Sequence, residues 1–311
     1  MCGIAGFVNA PGNDQERRSW LKDMSFSLRH RGPDGSGVVL DDLVGLAHCR
    51  LSIIDLAGGG QPMTTPDNRY TVVFNGEIYN FEEIRSNLAS LGMQFRTHSD
   101  TEALLMSYVV GGSACLETLD GMFAFALWDA REKLLFAARD RMGKKPLYYT
   151  LQNGTFVFAS ELSALKKLPF LTLEIDKTSI AQFLAYEYVP TPRTIFKNVY
   201  KLRPGCFLTF QDGELNTIRY WDLPIPSENC EDSDEDCCTK IVDLLGKGVK
   251  KRLVSDVPLG VFLSGGIDSS AVVALMARHV PARSIRTFSI GFTEKSYDES
   301  PFSRLVAKRF G

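Results

Sequence analysis

Short apolar runs punctuated by Gly, Asn and Asp fill the first two hundred residues. Positions 71–74, 122–128, 134–138 and 155–158 are rich in β-branched, aromatic and other apolar residues between turn formers, which predicts strands. Two transitions predict helix starts: Asn80 with Glu83, opening a segment that stops at Gly92, and Ser99 with Glu102 at capping-box spacing. Strands bunched together with helices between the bunches predict an α+β layered domain rather than a strict βαβ alternation.

The pattern breaks after Trp221. Pro224 and Pro226 precede Glu228, Glu231, Asp232, Asp234, Glu235 and Asp236 with no basic residue among them. This reads as a solvated acidic linker over 221–236, separating a domain at 2–220 from a segment at 237–311. Beyond it, Ile241, Leu245, Val249 and Leu253 mark one helical face, with Lys247, Lys250, Lys251 and Arg252 in the last turns, where cations suit the dipole. The continuous apolar run 257–263 predicts a strand buried on both faces. A Gly-containing turn over 264–270, a helix over 271–279 closed by Pro281, a strand over 284–292 and a helix over 301–310 follow. That order is the opening of a parallel, nucleotide-binding type of sheet.

The 311 residues suggest two domains at about 150 residues each. Hydrophobic residues at 44% and charged residues at 23% are ordinary for a soluble globular protein. With 35 Lys plus Arg against 37 Asp plus Glu there is no basic field for nucleic acid. The apolar runs fall far short of the ~20 residues of a membrane span, and the N-terminus lacks a secretory signal, so a cytoplasmic location is the expectation. The seven cysteines are odd in number and show no C-x-x-C spacing; Cys230, Cys237 and Cys238, beside the linker, read as free thiols rather than metal ligands.

Three places carry chemistry. Removal of Met1 would leave Cys2 with its thiol and free α-amine on one skeleton, and the amine could serve as base for its own thiol. The alternative is a buried structural cysteine. In Asn75-Gly76-Glu77, the Asn75 amide and Gly76 N–H could form an oxyanion hole, with Glu77 meeting a substrate ammonium; the competing reading is an Asn-Gly hairpin turn. Arg50 could clamp a carboxylate. Asp100 could bind a substrate amine or merely favour its helix dipole. Ser264, Gly265, Gly266, Ile267, Asp268, Ser269 and Ser270 form a strand-to-helix loop suited to phosphate, with Asp268 able to hold Mg²⁺; it lacks the Gly-Lys-Ser/Thr of a Walker A loop.

The strings Met1-Cys2-Gly3-Ile4-Ala5-Gly6, Arg29-His30-Arg31-Gly32-Pro33-Asp34-Gly35, Arg50-Leu51-Ser52-Ile53-Ile54-Asp55, Phe74-Asn75-Gly76-Glu77-Ile78-Tyr79-Asn80, Ser99-Asp100-Thr101-Glu102 and Arg139-Asp140-Arg141-Met142-Gly143-Lys144-Lys145-Pro146-Leu147-Tyr148-Tyr149 resemble the class II glutamine amidotransferases. Together with Asp256-Val257-Pro258 and the loop at 264–270, the whole chain resembles the front part of the glutamine-hydrolysing asparagine synthetases. Cys49 departs from the pattern, standing where the family commonly has Arg.

The resemblance implies an α+β N-terminal-nucleophile hydrolase sandwich (αββα), followed by the start of an α/β parallel-sheet ATP-pyrophosphatase domain that stops early. Cys2 would attack the glutamine side-chain amide and release ammonia. Asn75 and Gly76 would stabilise the oxyanion, while Arg50, Leu51, Ser52, Ile53, Ile54, Glu77 and Asp100 would line the glutamine site. MgATP would activate aspartate, with pyrophosphate at residues 264–270 and Leu263 and Ile290 at the ATP, and ammonia would displace AMP. A homodimer without nucleic-acid or membrane partners is the accompanying expectation. An amidotransferase for another carboxylate, a fragment with glutaminase activity alone and a non-catalytic remnant are the competing readings.

Overall fold

The period-two alternation of the first two hundred residues is built into two antiparallel sheets stacked face to face. A computed structural model describes residues 1–225 and 232–311, in two units, Met1–Pro224 and Ile225–Gly311. The first unit contains β1 (Gly3–Val8), β2 (Gly35–Leu40), β3 (Val44–Arg50), β4 (Met63–Thr64), β5 (Tyr70–Ile78) and β6 (Gly121–Asp129). It continues with β7 (Leu134–Arg139), β8 (Tyr148–Gln152), β9 (Thr155–Ala159), β10 (Tyr200–Lys201), β11 (Cys206–Gln211) and β12 (Glu214–Arg219). One sheet has the order β10-β8-β9-β1-β3-β2 and the other β12-β11-β7-β6-β5-β4.

Helices α1 (Asp14–Ser27), α2 (Phe81–Ser90), α3 (Asp100–Gly111), α4 (Cys115–Thr118), α5 (Leu162–Leu165) and α6 (Lys177–Tyr186) complete this unit. α1 and α5 cover the first sheet, and α2 and α3 lie on the side of the second. Alternation sorts side chains into three apolar layers. Along β6, Phe123, Phe125 and Leu127 pack under the helices, whereas Ala124, Ala126 and Trp128 pack between the sheets. Along β1, Ile4 and Val8 face the second sheet and Ala5 and Phe7 face α1. The result is the αββα sandwich expected of an N-terminal-nucleophile hydrolase.

Some local expectations need correction. Asn80 stands before α2, but its side chain does not cap that helix. It donates to Thr118 O and accepts from Asp120 N, both at 3.0 Å, tying the helix start to the turn before β6. Ser99 Oγ does accept from Glu102 N at 3.2 Å, yet the Glu102 carboxylate turns to the N–H groups of Arg96 and Thr97, so the box is only half formed.

The second unit has α7 (Asp234–Lys251), β13 (Gly260–Phe262), α8 (Ile267–Met276), β14 (Arg286–Phe288) and α9 (Ser300–Phe310), with β13 and β14 paired in parallel. Of the acidic stretch at 221–236, residues 226–231, including Cys230, lie outside the described residues. Asp234, Glu235 and Asp236 form the first turn of α7, because Ser233 caps the helix and its dipole favours carboxylates there. The run at 257–263 contributes only three strand residues. It is not buried on both faces: β14 is its one neighbour among the described residues, and Phe262 is 80% exposed. The strand anticipated at 284–292 likewise shortens to Arg286–Phe288. The turn expected to run to Ser270 ends sooner, since Ile267, Asp268, Ser269 and Ser270 already belong to α8.

Candidate active site

Cys2 immediately precedes β1 and shares the parity of Ile4 and Val8, while Asn75 shares that of Val73; both therefore lie on the inter-sheet side of their strands. That layer opens into a cavity of about 320 Å³ lined by Cys2, Arg50, Leu51, Ile53, Ile54, Asn75, Gly76, Glu77 and Asp100. These residues, up to 98 positions apart in the chain, are brought together by the stacking of the two sheets. Ser52 is the exception: it is not among the cavity-lining residues, and its N–H donates to Asp34 Oδ2 at 2.8 Å.

The thiol of Cys2 lies against the backbone of Leu51, 3.6 Å from its carbonyl oxygen and 3.4 Å from its nitrogen. Burial pushes the Cys2 thiol pKa up, and the Leu51 contact opposes that rise. The amino terminus, carried by Met1 here, is shifted down by burial. The guanidinium of Arg31 reaches Cys2 from the turn after α1: Nε donates to Cys2 O at 2.9 Å, and Nη1 pairs with Glu161 at 2.9 Å. Arg31 fixes the cysteine backbone, a role its place in a turn motif did not reveal.

Asn75 and Gly76 are not a hairpin turn. β5 runs straight through them, paired with Ala124 and Phe123 of β6. Phe123 gives both backbone groups to Asp140: Asp140 N–H donates to Phe123 O at 2.8 Å, and Phe123 N–H donates to Asp140 Oδ2 at 3.1 Å. Gly76 therefore faces Phe123 in a non-hydrogen-bonded pair, and its own N–H lies on the other edge of β5. On that edge Phe74 N–H donates to Gln61 Oε1 at 2.6 Å and Ile78 N–H to Asp100 Oδ2 at 3.1 Å. The Gly76 donor lies between them, at the cavity. Asn75 is 0% exposed, and neither its Nδ2 nor its Oδ1 has a partner among the described residues. A buried amide so placed costs free energy unless a ligand completes it.

Asp100 opens α3, yet it is buried rather than solvated as a simple dipole-neutralising residue would be. Burial, reinforced by the nearby Glu77 charge, pushes its pKa up to about 7. Arg50 ends β3 with its guanidinium folded over the following loop. Nη1 donates to Leu56 O at 3.0 Å, while Nη2 donates to Ile54 O at 3.2 Å and Asp55 O at 2.6 Å. Its first structural task is thus to shape one wall. Gln61, Thr101 and Lys145 also line the cavity, and none was singled out as a site residue from sequence. Gln61 links the walls, accepting from Phe74 N and donating to Thr101 Oγ1 at 3.2 Å.

In the second unit, Leu263, Ser264, Ser269 and Ile290 line a cavity of about 450 Å³, to which Gly265, Gly266, Ile267, Asp268 and Ser270 do not contribute. The Ser264 and Ser269 hydroxyls are 3.0 Å apart, and Gly266 N–H donates to Ser264 Oγ at 3.2 Å. Gly265 has φ +91°, and a Cβ there would lie 2.5 Å from Phe302 Cβ, so this turn requires glycine. Asp268 is exposed in the first turn of α8, and no cluster of three His, Cys, Asp or Glu residues suited to a metal occurs among the described residues. No helix among them is long and apolar enough to cross a membrane.

The model of the glutamine amidotransferase domain matches residues 1–221, and that of asparagine synthase matches residues 240–311. The chain is 38% identical over 327 residues to glutamine-hydrolysing asparagine synthetase 3 of Bacillus subtilis, covering 100% of this chain and 53% of that protein. It is 38% identical over 316 residues to glutamine-hydrolysing asparagine synthetase 1 of the same organism, covering 100% of this chain and 49% of that protein. The chain spans about half the length of these curated relatives. Among solved structures, glutamine phosphoribosylpyrophosphate amidotransferase of B. subtilis, complexed with ADP and GMP, is similar in fold, with a TM-score of 0.53 and 18% identity over 94% of this chain and 67% of that one.

Proposed function

Because the chain belongs to the glutamine amidotransferase domain family, we propose that it hydrolyses glutamine at Cys2 and that the ammonia serves ATP-dependent amidation of a carboxylate, with aspartate as the acceptor. The observation that carries this reading is Asn75: an amide with no partner among the described residues, fully buried, on the cavity that holds Cys2.

The steps follow from the groups present. Once Met1 is removed, the neutral α-amine of Cys2 takes the thiol proton, and the thiolate attacks the side-chain carbonyl carbon of glutamine. The oxyanion that forms meets Asn75 Nδ2 and Gly76 N–H. The protonated amine then gives its proton to the departing nitrogen, which leaves as ammonia, and a thioester remains on Cys2. Water, deprotonated by the same amine, releases glutamate. Asp100 in its charged form, with Glu77, accepts the substrate ammonium, and Arg50 meets the α-carboxylate with the donor capacity its loop contacts leave.

In the second unit, the start of α8 and the hydroxyls of Ser264 and Ser269 receive the phosphates of ATP. Asp268 would hold Mg²⁺, which suits a single carboxylate because this ion takes phosphates and water for its remaining positions. Held there, the ion would supply charge neutralisation for the pyrophosphate leaving group.

The test is release of glutamate and ammonia from glutamine by the chain after mass spectrometry has verified Met1 removal. Cys2→Ala should abolish it; an inactive processed chain, or an active Cys2→Ala variant, would refute the assignment. Pyrophosphate release from ATP that depends on another acid rather than on aspartate would replace the acceptor.

A further inference from the structure

Lys145 lies in the segment between β7 and β8, and its backbone is pinned on both sides. Its N–H donates to Asp140 Oδ2 at 2.9 Å, and its carbonyl accepts from Arg139 Nε at 2.7 Å. Arg139 also donates to Gly143 O and Leu202 O, and Asp140 accepts from Met142 N and Lys144 N. This rigid turn places the Lys145 side chain, 5% exposed, on the wall of the cavity that contains Met1, Cys2 and Glu77. Burying an ammonium is costly unless negative charge faces it.

We propose that Lys145 is a positioning residue of the glutaminase centre, its fixed positive charge keeping the terminal amine neutral as a base and the Cys2 thiol ready to ionise. The inference rests on the reading of Cys2 as the nucleophile. Facing Cys2 are Arg31 from the turn after α1, Glu77 from β5, Asp100 from α3, Arg50 from the end of β3, and Lys145. Burial lowers the pKa of Lys145, and the nearby Glu77 and Cys2 charges oppose that fall. In return Lys145 opposes protonation of the amino terminus, which Met1 carries here, and adds to the groups that favour the Cys2 thiolate against burial. An amine that must act unprotonated, in a pocket carrying the carboxylates of Glu77 and Asp100, needs such a cation to offset their pull on its proton.

The experiment compares processed wild type, Lys145→Met, Lys145→Gln and Lys145→Arg. It reads kcat/KM for glutamine and the rate of iodoacetamide alkylation at Cys2, mapped by peptide mass spectrometry, from about pH 5.5 to about pH 9. Thermal melts identify any variant that fails to fold. Neutral variants should move the acid limb of kcat/KM and the alkylation midpoint upward by roughly one pH unit, lowering kcat/KM at pH 7 by about tenfold. Lys145→Arg should follow wild type. Unmoved midpoints in a folded neutral variant, or an Arg variant displaced as far as the Met variant, would overturn the proposal. Should wild type hydrolyse no glutamine, the reading of Cys2 falls, while the alkylation midpoint still decides for or against Lys145.

Discussion

The backbone N–H of Ile78 donates to Asp100 Oδ2 across 3.1 Å, joining the last residue of β5 to the first residue of α3. One carboxylate thus helps define the site wall and, in the proposed function, receives the substrate ammonium. Its pKa near 7, against about 3.9 in an unfolded chain, makes two predictions of opposite kind. Between those values the folded state binds more protons, so the contribution of Asp100 to stability falls as pH rises from about 4 to about 7. In the proposed function the charged form binds the ammonium, so KM for glutamine should fall as pH rises through 7. Asp100→Asn keeps an acceptor for Ile78. It should raise the melting temperature of the unliganded chain at pH 8 while raising KM by roughly ten- to a hundredfold. Calorimetric melts and initial rates check both; a melting temperature lowered at pH 8 would contradict the burial argument.

Asn75 separates catalysis from stability. Its amide has no partner to lose among the described residues, so Asn75→Ala removes an unsatisfied polar group along with a small volume. The chain should unfold at about the same denaturant concentration as wild type, whereas kcat for glutamine should fall by about 10²–10³ with KM little changed. Urea titration together with steady-state kinetics measures the pair of effects.

Gly76 is required by the approach of β6. A Cβ there would stand 2.3 Å from Met122 O, a backbone atom that cannot swing aside. Gly76→Ala must therefore separate β5 from β6 locally, costing roughly 1–3 kcal/mol in urea unfolding, and it displaces the N–H proposed to meet the oxyanion. Loss of activity without loss of stability would show that the strands accommodate the methyl group.

How far the site could be read from sequence depended on distance along the chain. Cys2 and Asn75 could be named as candidates because their signals are local, a thiol beside the first residue and an amide after an apolar run; that both line one cavity is what the structure adds. Arg31 and Lys145 could not be, because the Arg31 bond to Cys2, across 29 positions, and the place of Lys145 on the cavity wall exist only once β1 lies beside other elements. Arg50, expected to clamp substrate, does line the cavity, but its grip on the loop at 54–56 is a tertiary fact. In the second unit the apolar run ending at Leu263 suggested a fully buried strand. Hydrophobicity alone does not supply the neighbouring strands that would bury Phe262.

The last prediction concerns that grip. Arg50 Nη1 and Nη2 together hold the carbonyls of Ile54, Asp55 and Leu56, and the same turn is closed by Gly59 N–H to Asp55 O at 3.0 Å. A lysine ammonium keeps the charge but cannot reproduce a planar fork spread over three acceptors. Arg50→Lys should therefore loosen the wall without unfolding the sandwich. Hydrogen exchange should accelerate at the amides of Gly58 and Gly59, whose acceptors are both on Asp55, and remain unchanged in β1 and β6. KM for glutamine should rise by about tenfold or more, because both the loop and the proposed partner of the substrate carboxylate are altered. Exchange at Gly58 and Gly59 that matches wild type would mean that Asp55, with its own bonds to Gly58 and His98, suffices to hold the turn.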